Sequence, residues 1–62
     1  MHRGFYADRI IISIYGGKSL VFEKVYEYSE NKEAITIRQI ESQKVTTTVI
    51  YKHSVKMWTI EK

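Results

Sequence analysis

The sequence predicts an all-β protein, a five-strand antiparallel meander that curls into a small SH3-like or OB-like barrel. Three observations carry this expectation. Ile, Val and Thr supply nineteen of the 62 residues and Tyr, Phe and Trp eight more, the types that fit a pleated, half-buried surface. The strong helix formers are scarce, with one Leu and two Ala. Five segments alternate in polarity and are separated by short polar breaks.

The first strand is expected over residues 8–15, with Ile10, Ile12 and Ile14 on one face. Gly16 and Gly17 then permit positive φ. A three-residue loop of Tyr15, Gly16 and Gly17 sets Ile14 opposite Lys18, Ile12 opposite Leu20, Ile10 opposite Phe22 and Asp8 opposite Lys24. This register puts apolar beside apolar and acid beside base. A two-residue Gly16-Gly17 loop would set Ile10 against Glu23. The second strand is expected over 18–28, followed by a four-residue turn, 29–32, with Asn31 available for a left-handed position. That turn sets Tyr26 against Ile35 and Glu23 against Arg38.

The third strand, 33–41, changes phase within itself. Ile35 and Ile37 are in step and Ile40 is not. A bulge near Arg38-Gln39 reconciles the two halves and lets a short sheet bend. A two-residue Ser42-Gln43 loop would leave Ile35 and Ile37 on the face opposite Val49. The fourth strand, 44–52, places Val45, Thr47, Val49 and Tyr51 on one face. A tight turn at His53-Ser54 leads to the fifth, 55–61, pairing Val49 with Trp58 and Thr47 with Ile60. Trp58 and Ile60 thereby join a core stripe of Val45, Val49 and Tyr51. The chain reads as one domain over 1–62, with 1–7 as an extended N-terminal arm. A flat sheet that covers its apolar face by dimerising is the alternative architecture.

Length and composition bound the function. A domain of this size is marginal and depends on a staple or a partner. With no Cys there is no disulfide and no thiolate metal site, and His2 and His53 cannot build a structural zinc site alone. No metal or other cofactor is expected. The longest apolar run is Ile10-Ile11-Ile12, so no membrane span is expected. Met1-His2-Arg3-Gly4 has no leader-like apolar stretch, which favours a cytoplasmic location.

No enzyme is expected. Gly16-Gly17-Lys18-Ser19 ends like a phosphate loop, but Ile12 stands where such a loop needs its first glycine, and a strand follows where it needs a helix. His53 beside Ser54 lies in a turn with no spacing that supplies a base and an orienting group. Glu23 and Glu27 read as cross-strand charge partners, for example of Arg38. Thr46, Thr47 and Thr48 read as an ordinary exposed sheet row.

Two binding readings remain. Residues 32–62 hold six bases and three acids, whereas 1–31 hold four of each, so the net +3 belongs to the second half. Between Glu41 and Glu61 there is no acid. Lys44, Lys52, His53, Lys56 and Trp58 in that window suit a single-stranded nucleic-acid platform, with cations for the backbone and a ring for the bases. Lysines on edge strands also serve simply to block aggregation. The preferred reading is a protein-interaction or inhibitory module that uses a sheet edge or the face carrying Tyr6, Tyr26 and Tyr28, with another protein or a second copy as partner.

Overall fold

The computed structural model describes residues 5–62. Five strands form one antiparallel sheet: β1 (Ala7–Ile14), β2 (Lys18–Glu30), β3 (Ala34–Glu41), β4 (Lys44–Tyr51) and β5 (Val55–Glu61). Their order is β4-β3-β2-β1-β5. Strands β1 to β4 follow the expected meander. Strand β5 departs from it and pairs with β1 at the far edge.

The first hairpin has the expected register, with Ile10 opposite Phe22, Ile12 opposite Leu20 and Ile14 opposite Lys18. Gly16 and Gly17 both take positive φ, 103° and 89°, which a side chain would strain.

The second hairpin is shifted. Glu30 pairs with Ile35 and Glu27 with Arg38, not Tyr26 with Ile35 or Glu23 with Arg38. The reason lies in the turn. Asn31 Oδ1 accepts the backbone N–H groups of Glu33 and Ala34 at 2.7 and 2.8 Å. This side-chain closure tightens the turn and lets β2 run on to Glu30. Asn31 is not left-handed; among the described residues Lys24, Ser42 and Gln43 are the non-glycine ones with positive φ.

The anticipated irregularity is present, but its extra residue is on β2. Val25 pairs with Gln39 and Glu27 with Arg38, leaving Tyr26 unmatched. Next to it Lys24 has a φ of 54°. This bulge bends β2 sharply. Thirteen straight residues would reach about 40 Å, yet the longest extent of the whole molecule is 35 Å.

The bend brings both ends of β2 to one place. There a three-residue 3-10 turn, Lys52–Ser54, joins β4 to β5. The Lys52 N–H donates to Glu33 O at 2.8 Å, and the Tyr15 N–H donates to Ser54 O at 3.1 Å. The turn therefore straps the first hairpin loop to the second. It also explains why β5 does not fold back on β4. On β1, Trp58 stands opposite Ile12 and Ile60 opposite Ile10, where both rest on fully buried isoleucines. The expected pairs Val49–Trp58 and Thr47–Ile60 are not formed. β4 and β5 share no ladder, so the sheet is curled without being hydrogen-bonded into a closed ring.

The core lies inside this curl. Ala7, Ile10, Ile12, Val25, Ile35, Ile37 and Val55 are buried, with Leu20, Phe22, Tyr28, Ile50, Trp58 and Ile60 packed around them. The Ser42-Gln43 loop has two residues, both at positive φ (51° and 65°), closing Glu41 on Lys44. Ile35 and Ile37 thus face inward, while Val45, Val49 and Tyr51 face outward and are exposed. The stripe expected in the core is a surface stripe. Of the expected arm, residues 1–4 (with His2) lie outside the described residues. Tyr6 is tied down, its N–H donating to Val25 O at 2.7 Å, and Ala7 is a buried strand residue.

Candidate functional site

Two groups of residues proposed from sequence meet at the open side of the curl, where β5 faces the second half of β2. Trp58 Nε1–H donates to the Tyr28 hydroxyl at 3.1 Å. That hydroxyl donates to Glu30 Oε1 at 2.6 Å, and Lys52 Nζ sits 3.3 Å from Glu30 Oε2 and 5.7 Å from the centre of the Trp58 ring. Tyr6 stacks on Tyr28 with ring centres 5.3 Å apart, and Lys62 Nζ lies 4.3 Å over Tyr6. Trp58, Tyr28 and Tyr6 are half-buried. The Trp58 N–H and the Tyr28 hydroxyl satisfy each other, so the cluster ties β5 to the second half of β2.

Burial pushes the Tyr28 hydroxyl up to about 12, helped by its bond to Glu30. The Tyr28 and Lys52 contacts hold the Glu30 carboxyl below its ordinary value. A hydroxyl with a raised native pKa favours the folded state while it is protonated. Its contribution is complete below pH 10 and is lost as the pH rises towards 12. Tyr28→Phe leaves the indole N–H without its acceptor. It is expected to cost about 1 kcal/mol at neutral pH and to flatten the alkaline limb of a denaturation series, with Trp58 fluorescence as the probe.

The remaining basic residues are dispersed. Lys44 is at the tip of the β3–β4 hairpin, opposite Glu41, while Lys52 is at the other end of β4, about 26 Å along the strand. Lys56 shares a recess with Lys18 and the Gly16-Gly17 loop. His53 stacks on the exposed Tyr51 ring, centres 6.3 Å apart, beside Lys32 and Glu33. Tyr26 is the bulge residue and is half-buried.

No protein-family model, curated protein or solved structure matches this chain.

The feature that sequence reasoning misplaced is the edge of β4. Its hydrogen-bonding directions follow from the loop. A two-residue loop with both residues at positive φ is closed by a hydrogen-bonded pair, here Glu41 and Lys44. Bonded and non-bonded pairs then alternate. The even positions of β4 bond to β3, and the Lys52 N–H on Glu33 O continues that pattern. Val45, Thr47, Val49 and Tyr51 accordingly point their N–H and C=O groups away from β3, along the open edge of the sheet. Their side chains are exposed as well, Val45 at 56%, Val49 at 50% and Tyr51 at 58%, with Ile40 beside Val45. Strand β4 contains no Pro, no acid and no register shift.

Proposed function

We propose that this chain is a non-enzymatic interaction module that binds protein by adding an extended strand to the free edge of β4. The observation that carries the reading is the unprotected edge itself. Exposed edges are ordinarily blunted by proline, charge (lysine above all) or a bulge; β4 has one lysine, at its first position, and none of these devices from Val45 to Tyr51. Main-chain bonds to Val45, Thr47, Val49 and Tyr51 would supply affinity, and the exposed Val45, Val49 and Tyr51 side chains would supply selectivity. The barrel reading belongs with this one, because a strand added at β4 would extend the curled sheet towards closure. An inhibitory or regulatory role follows if the added strand is one its owner uses elsewhere. The nucleic-acid alternative has less behind it, since Lys44, Lys52 and Lys56 line no common track and Lys52 is engaged with Glu30.

Photo-cross-linking tests the proposal. A photoreactive residue at Thr47 should give protein adducts in the cells that make this chain, and one at Lys56 should not. Adducts at Lys56 alone would overturn the edge reading. Saturable, salt-sensitive quenching of Trp58 by a single-stranded oligonucleotide would favour the alternative.

A further inference from the structure

We infer that the strand received by β4 is β4 of a second copy, paired antiparallel about a two-fold axis at Thr47. The inference rests on the edge reading above and names its occupant. Val45-Thr46-Thr47-Thr48-Val49 reads the same in both directions. A two-fold strand pair sets each residue against the one equally far on the other side of the axis, so this palindrome makes Val meet Val and Thr meet Thr. The palindrome is centred on an odd position, and the odd positions carry the outward N–H and C=O groups. With the axis at Thr47, Thr47 faces Thr47 of the second copy and Val45 faces Val49 of the second copy. All three pairs are of the doubly bonded kind, giving about six main-chain hydrogen bonds.

Side chains select this register over its neighbours. With the axis at Thr47, Lys44 lies opposite Ile50 of the second copy, and no two like charges along the strand are opposed. Moving the axis to Thr48 would set Lys44 against Lys52, a repulsive pair. Moving it to Thr46 would set Val49 against Gln43 and Val45 against Thr47, losing the apolar match. On the outer surface the Thr47 register continues Ile40 and Val45 of one copy into Val49 of the other, so residues exposed in the single chain become neighbours. The need is also present. Among the described residues only eight apolar ones are buried, and the chain has no Cys to form a disulfide.

The axis makes residue 47 unique, since it alone meets itself. Thr47 is exposed, so charges there leave the fold of a single chain intact. Sedimentation of the wild-type chain, from low micromolar to submillimolar concentration, should show a closed dimer and nothing larger. Thr47→Lys and Thr47→Glu should each weaken dimerisation at least tenfold, with unchanged circular dichroism. Mixing the two variants in equal amounts should restore the dimer. A wild-type monomer throughout that range would overturn the inference, as would open-ended assembly, a dimer indifferent to both substitutions, or a mixture that stays monomeric. If the wild type is monomeric yet Thr47 cross-links to a different protein, the edge reading survives and the second-copy occupant alone fails. If Thr47 gives no adduct of either kind, both fail.

Discussion

Ile12→Ala should lower stability by about 3–4 kcal/mol, while Ile11→Ala should cost about 1 kcal/mol or less. The two residues are neighbours in a run of three isoleucines, and only the alternation of the strand separates them. Ile12 is fully buried between Leu20 of β2 and Trp58 of β5. Ile11 is on the outer face, opposite the exposed Val21 and Thr59. A domain of this size has a total stability of roughly 3–9 kcal/mol, so the Ile12 variant should lose about half of it. Its thermal midpoint should fall by roughly 15 °C or more. Equal losses from the two variants, followed by thermal and urea denaturation, would show that the face assignment of β1 is wrong.

Proline substitution along β4 should give a large effect at one position and a small one at the next. Thr48→Pro removes an N–H that bonds β3 and puts a ring into the ladder, at a cost of about 3 kcal/mol. Thr47→Pro removes only an outward N–H, a position at which edge strands accept proline, and should cost about 1 kcal/mol or less in the isolated chain. The same substitution should remove strand addition at the edge. Amide exchange supplies the matching readout, with Thr46, Thr48 and Ile50 protected by β3. Val45, Thr47 and Val49 should be protected only when the edge is occupied. A reversed order of the two proline variants would mean that β4 turns its other side to β3.

The parts of the fold legible in the sequence were those decided within a few residues. The first hairpin is an example, because Gly16 and Gly17 allow a loop whose register is confirmed by the apolar match of Ile10 and Ile12 with Phe22 and Leu20. The second hairpin was less legible, because the Asn31 side chain shortened the turn by bonding two backbone groups, a contact that residue type permits but does not require. The candidate site was legible in its members and not in its grouping. Trp58 and Lys52 were associated with nucleic acid, and Tyr6 and Tyr28 with a protein face. The bend at Lys24 and Tyr26 puts all four in one cluster.

By itself, the sequence determined strand content, the alternation of Ile10, Ile12, Ile35 and Ile37, and the palindrome at Thr47, because these depend on residue type and on a period of two. Only the tertiary structure decided where β5 goes and which face of β4 is wet. Both choices follow from the strap at Lys52–Ser54, which sends Trp58 and Ile60 to the isoleucines of β1 and leaves β4 as an open edge. A period-two pattern marks two faces of a strand. Which face is covered depends on which other strand arrives, and that is a long-range competition for apolar surface.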